Sequence, residues 1–124
     1  MGISSYRDLK VWQEAMSIAE RAYHLTARFP KDEVYGMTSQ IRRAAVSIAA
    51  NIAEGHGREN SGSFIQFMRV SQGSLKELET HLVLAVRVRL VSVEEGEPIL
   101  QQCDELGRML RSLIRSIQRR QSND

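Results

Sequence analysis

Arg108, Arg111, Arg115 and Arg119 recur at steps of three and four, which on a helix gathers them within an arc of about 80°. No acidic residue falls between Gly107 and Asn123. Such a stripe has two readings. Aligned guanidinium groups can follow a phosphate backbone by charge alone. They can equally form a solvated face that opposes the negative end of the helix dipole. A second basic group, Arg42, Arg43 and Arg58, flanks a helix of small residues. Aromatic residues interleave with neither group, so stacking on single-stranded bases is not indicated. Contact with nucleic acid would be to backbone and shape, with little sequence readout.

The chain between Gln40 and Glu54 carries two faces. Ile41, Ala44, Ala45, Ile48 and Ile52 share an apolar stripe, and Gln40, Arg43, Ser47, Asn51 and Glu54 share a polar one about 120° away. The apolar stripe is core. The polar stripe can form a network between helices, line a groove or face a partner. Arg43 is expected to pair with a carboxylate of the next helix, Glu77 or Glu79, because arginine presents a planar fork to carboxylates. Ser47 and Asn51 then satisfy neighbouring polar groups. Arg42 and Arg58 are left as a second candidate phosphate site.

Catalysis finds little to work with. Glu54, Glu77 and Glu79 are the carboxylates placed to act as acid and base, and pairing with Arg42 and Arg43 is their simpler role. No glutamate has a histidine three residues on, as a metal site inside a helical bundle would require. His24, His56 and His81 lack the paired spacing of zinc ligands. Gly55-His56-Gly57 follows no strand and reads as a helix stop, not a phosphate loop. Cys103 has Ile99, Leu100 and Leu106 at helical spacing and reads as a buried structural thiol. A single cysteine forms no intrachain disulfide and fits a reducing compartment. The expectation is a protein that is not an enzyme and uses no metal or cofactor.

Four helices are needed to position these groups. The first is expected near 6–29, capped by Ser5 and ended by Phe29-Pro30, with a seam of Leu9, Trp12, Met16, Ala19, Tyr23 and Thr26. The second spans 37–56 and closes on left-handed glycine at 55–57. The third, 61–90, has a long stripe from Phe64, Phe67 and Met68 through Ser71, Leu75, Leu78 and Leu82 to Ala85 and Val86. Val83, Leu84 and Val88 lie off that stripe, and an apolar surplus on a small bundle marks a subunit contact, with Leu84 and Val88 at its centre. The fourth, 93–120, starts at the capping box Ser92-Val93-Glu94-Glu95 and runs Ile99, Cys103, Leu106, Leu110, Leu113 or Ile114, Ile117, leaving 121–124 as a frayed tail. Short connections make consecutive helices antiparallel. Trp12, Ile41, Ile48, Phe64, Phe67, Leu78, Leu82, Leu106, Leu110 and Ile114 are the expected core.

Three separated motifs also carry a resemblance. Tyr6-Arg7-Asp8-Leu9-Lys10-Val11-Trp12, the stretch from Phe29-Pro30-Lys31 through Asn51-Ile52-Ala53-Glu54-Gly55, and Gly73-Ser74-Leu75-Lys76-Glu77-Leu78-Glu79-Thr80 stand in the order found in bacterial four-helix-bundle proteins encoded within intervening sequences of 23S ribosomal RNA genes. The chain resembles that family in detail from about Tyr6 to Leu90. The resemblance implies an antiparallel up-down four-helix bundle that assembles into a homopentamer, and it implies no settled activity. A similar bundle is the accessory protein of diversity-generating retroelements, which implies nucleic acid, or a protein such as a reverse transcriptase or another RNA-processing component, as partner.

Composition is compatible with all of this. The 124 residues make one domain, 42% hydrophobic and 26% charged, with a net charge of +2. Charges at Arg7, Asp8 and Lys10 argue against a secretory signal. The longest uncharged stretch, Ala44 to Ala53, is about half of a membrane span. A soluble, cytoplasmic protein is expected.

Overall fold

The structure, a computed structural model, describes residues 5–123. Helices α1 (Lys10–Thr26), α2 (Met37–Gly57), α3 (Ser61–Arg87) and α4 (Val93–Asn123) follow one another up and down. α1 packs on α2, α2 on α3, α3 on α4, and α4 returns to α1; among the described residues neither diagonal pair meets. The α1–α2 side and the α3–α4 side are therefore opposite faces of the bundle.

The entry to α1 differs from the expectation. Ser5 does cap, accepting from the Arg7 N–H at 3.1 Å, but the turn it caps is a 3-10 turn over Tyr6–Asp8. Leu9 then breaks to extended backbone before α1 begins. The seam of α1 differs in part: Leu9, Ala19 and Thr26 are buried as expected, but Trp12, Met16 and Tyr23 are not. Val11, Ala15, Ile18, Ala22 and Leu25 are its core stripe, whereas Met16 is 38% and Tyr23 46% exposed. These two apolar stripes lie about 100° apart on the helix. The one with alanines faces inward, where α1 packs on α2 and small residues let the two backbones approach.

α2 starts from a second 3-10 turn, Lys31–Glu33, where the Glu33 carboxylate accepts the Met37 N–H at 3.2 Å. Its end overturns the glycine expectation: no glycine among the described residues has positive φ, and the left-handed residue is Glu59, at φ 60°. Gly55 instead serves packing, since a Cβ there would stand 2.6 Å from Phe67 Cβ. α3 is capped by Asn60, which accepts the Ser63 N–H at 2.9 Å. It ends in a Schellman turn, with Arg89 left-handed at φ 66° and Leu90 N–H reaching back to the Ala85 carbonyl at 2.9 Å. Ser92 and Glu95 form the reciprocal capping box at 3.1 and 3.2 Å, and α4 runs through Pro98 to Asn123 without fraying at 121; Asp124 lies outside the described residues.

Ile41, Ile48, Leu78, Leu82, Leu106, Leu110 and Ile114 are buried as expected. Trp12, Phe64 and Phe67 are only half-buried. The rings sit where the bundle ends and helix edges leave room for them. Tyr6 meets Trp12 edge-on, and His56 meets Phe64.

Candidate functional site

α4 carries the arginine stripe on its solvent side, and Arg108, Arg111, Arg115 and Arg119 are all exposed. The four are not equivalent. Asp104, one turn before the acid-free segment, pairs with Arg108 at 2.8 Å, because side chains four apart on a helix are neighbours. Among the described residues Arg111, Arg115 and Arg119 have no ion-pair partner. The stripe available to a ligand is therefore three arginines over two turns.

The second basic group does not hold together. Arg42 is near the start of α2 and Arg58 just past its end, sixteen residues or about 24 Å away along the axis. Arg58 pairs with Glu54 at 3.3 Å and lies over the Phe67 ring at 5.1 Å. Arg42 turns back onto α1. Its Nε donates to Thr26 Oγ1 at 2.8 Å and its guanidinium carbon stands 4.4 Å from the centre of the Tyr23 ring.

The polar stripe of α2 divides likewise. Ser47 and Ser74 share a hydrogen bond of 2.8 Å between α2 and α3. Asn51 donates to the Ser47 carbonyl and hydroxyl at 2.8 and 3.0 Å. Deeper in the same interface, Ser71 donates to the Ile48 carbonyl at 2.9 Å. The expected arginine–carboxylate link is absent: Arg43 is exposed and, among the described residues, makes no ion pair or side-chain hydrogen bond. The carboxylates prefer neighbours on their own helices, where pairing needs no reach across the groove. Glu54 takes Arg58, Glu77 approaches His81 at 3.5 Å, and Glu79 takes Lys76 at 3.1 Å. Arg43 instead lines a cleft of about 490 Å³ with Tyr23, Gln40, Arg42, Ser47 and Glu77.

Two apolar surfaces remain open. On the outer side of α3 Leu84 is 47% exposed, Val88 just past the helix is 55% exposed, and Val83, Val86, Val93 and Leu100 line an apolar cleft between α3 and α4. On the α1–α2 side Trp12, Met16, Tyr23, Val46, Ala50 and Ala53 line a groove of about 460 Å³. That groove contains residues the helical spacing had placed in the core.

No group of three or more His, Cys, Asp or Glu among the described residues could hold a metal ion. Burial, reinforced by nearby Glu79, pushes the Cys103 thiol up to about 12, so it is no nucleophile. Among the described residues no helix is long and apolar enough to cross a membrane. Spacing could have found the Asp104–Arg108 pair. The Thr26 and Tyr23 contacts to Arg42 cross between helices and carry no signal in local sequence.

The profile of the 23S rRNA-intervening sequence proteins matches residues 7–112. A crystal structure of a Bacteroides thetaiotaomicron protein of unknown function, from the S23 ribosomal protein family, is similar in fold and sequence. Its TM-score is 0.75 at 26% identity, over 84% of this chain and 97% of that one. No curated protein matches the chain.

Proposed function

Because the chain belongs to the 23S rRNA-intervening sequence protein family, we propose that it acts by binding, without catalysis, as a cytoplasmic homo-oligomer that holds structured RNA or a nucleic-acid hybrid by the backbone. The observation that carries this reading is the face of Arg111, Arg115 and Arg119, exposed over about 12 Å of α4 with no carboxylate partner among the described residues. Repeated around an oligomer, it makes a concentrated positive surface from a chain whose net charge is only +2. Binding to an RNA hairpin is expected at low salt, with weak sequence preference and a steep loss as salt rises. Changing Arg111, Arg115 and Arg119 together to glutamine should remove it while helicity and oligomeric state stay intact. Unchanged affinity and salt slope in that variant would make the stripe a solvated face.

The two apolar surfaces support the oligomer. The α3–α4 cleft and the α1–α2 groove lie on opposite faces and differ in composition, so a two-fold dimer would cover only one kind, whereas head-to-tail contact covers both and makes a ring where the rotation closes. The family resemblance favours five subunits for that ring. Leu84→Glu is expected to dissociate it with helicity preserved, since a carboxylate buried there has no partner. Light scattering that gives a stable 14.1 kDa species at micromolar concentration would refute the assembly. The open α1–α2 groove favours a second reading, a scaffold for a protein such as a reverse transcriptase or RNA-processing component. Such apolar binding would respond little to salt.

A further inference from the structure

Thr26 closes α1 with its side chain buried, and its hydroxyl donates to the Ala22 carbonyl at 2.8 Å. The same oxygen accepts from Arg42 Nε on α2, also at 2.8 Å. Tyr23, one turn before Thr26, places its ring under the guanidinium, whose carbon stands 4.4 Å from the ring centre. Two contacts from α1, one at Nε and one at the guanidinium carbon, together restrict where this side chain can sit. A free arginine side chain carries about 2 kcal/mol of rotamer entropy; here much of that freedom is already lost on folding.

The anchoring uses only Nε. Among the described residues no protein group accepts from Arg42 Nη1 or Nη2, the two-pronged edge that guanidinium offers to oxyanions. Arg42 lines the cleft of about 490 Å³, together with Arg43 and Gln40, neither of which has a side-chain partner among the described residues. Across the cleft stands Glu77, beside His81.

We propose that Arg42, positioned by Thr26 and Tyr23, is an oxyanion receptor whose ligand is a phosphodiester of a nucleic-acid backbone, with Arg43 and Gln40 completing the contact. Charge selects the diester. Arg42, Arg43 and Glu77 leave one positive charge in the cleft, which matches one phosphodiester. A phosphomonoester, at about −1.5 to −2, would face Glu77 uncompensated. Shape favours phosphate over carboxylate. Arg42 and Arg43 project about 100° apart on α2, and a tetrahedral anion can give each an oxygen. A planar carboxylate offers both of its oxygens to one fork.

The proposal rests on the nucleic-acid reading above but not on the α4 stripe, because α2 and α4 are diagonal helices that do not pack together. The two sites can therefore fail separately. Two measurements on the intact chain test it. The first follows the Arg42 Nε–H resonance during titration with dimethyl phosphate, and in parallel with acetate. The second measures affinity for a fluorescein-labelled RNA hairpin against salt.

Dimethyl phosphate should shift the resonance more than acetate at equal concentration. Arg42→Lys keeps the charge, loses the fork and should weaken RNA binding about tenfold, the equivalent of one charge-assisted hydrogen bond. Thr26→Val keeps every charge and the side-chain volume. It should weaken binding severalfold with the salt slope unchanged, and Thr26→Ser should restore it. Tyr23→Leu repeats the test without touching a buried hydroxyl, with light scattering to confirm an unchanged oligomer because Tyr23 also lines the α1–α2 groove. Arg42→Gln should reduce the salt slope by about 0.7–0.9, one phosphate's worth.

RNA binding by Thr26→Val and Tyr23→Leu equal to the unaltered chain overturns the positioning. A resonance unmoved by dimethyl phosphate, or moved more by acetate, overturns the phosphodiester receptor and leaves the α4 reading standing. A resonance that moves while the chain binds no RNA overturns the nucleic-acid ligand and the reading above with it.

Discussion

Gly55 offers the sharpest check on how α2 and α3 meet. The perturbation is Gly55→Ala, a single methyl. Within a helix this change ordinarily stabilises by about 1 kcal/mol, because glycine loses more backbone freedom on folding. Here the new Cβ would stand 2.6 Å from Phe67 Cβ and 3.3 Å from both Phe64 Cδ1 and the Phe64 carbonyl oxygen. Phe67 Cβ and the Phe64 carbonyl sit on or next to the α3 backbone, so relief requires the helices to move apart. Overpacking of this kind costs about 1–3 kcal/mol and sometimes more. The steric term outweighs the propensity term, and the expected net loss is up to about 2 kcal/mol. Gly73→Ala is the control. It is the same chemical change in the middle of α3, but nothing stands within 4 Å of its added Cβ, so only the gain of about 1 kcal/mol remains. Urea unfolding at one fixed protein concentration measures both, because oligomerisation makes stability depend on concentration. Opposite shifts of the midpoint with unchanged slope are expected. If Gly55→Ala stabilises as Gly73→Ala does, the close approach of α2 and α3 at this point is wrong.

Arg89 holds a left-handed conformation at the end of α3, so Arg89→Gly should raise stability by up to about 1 kcal/mol in thermal melts. Leu78 is fully buried at the α3 seam, and Leu78→Ala should cost about 2–5 kcal/mol by denaturant unfolding. The folded Cys103 thiol, raised to about 12 from an ordinary 9.0, stays protonated where the unfolded thiol ionises. Its contribution is therefore full below pH 9.0 and is lost as pH rises toward 12, and at pH 8 a thiol reagent should react only as the chain unfolds.

Legibility in the sequence tracked how one-sided each helix is. The α3 and α4 stripes, Leu75–Leu78–Leu82 and Cys103–Leu106–Leu110, could be read because a single apolar arc stands against charged neighbours. α1 has two apolar stripes, and the bulkier one, Trp12–Met16–Tyr23, looks more like a core than Ala15–Ile18–Ala22 does. Only packing against the other helices decides between them. The arginine stripe was visible from spacing, but its loss of Arg108 to Asp104 required looking one turn further back. Arg43 was assigned a carboxylate by chemical affinity, and local pairs on α2 and α3 took those carboxylates first. The contacts that make Arg42 a positioned fork join residues on different helices, which spacing along one helix does not reveal.

The order in which the helices pack also dictates how the chain folds. Three of the four helix pairings join neighbours in sequence, and only α1–α4 links the two ends. Contacts of this kind give a low contact order, which places folding in the microsecond-to-millisecond range. The entropy of closing a long loop falls on the α1–α4 seam alone, where Gln102 bridges to Glu14 and Ser17 at 2.8 and 3.1 Å. During synthesis, α1, α2 and α3 can pair before α4 has left the ribosome. The arginine face is thus set in place after α1, α2 and α3, on the helix whose docking shuts the bundle.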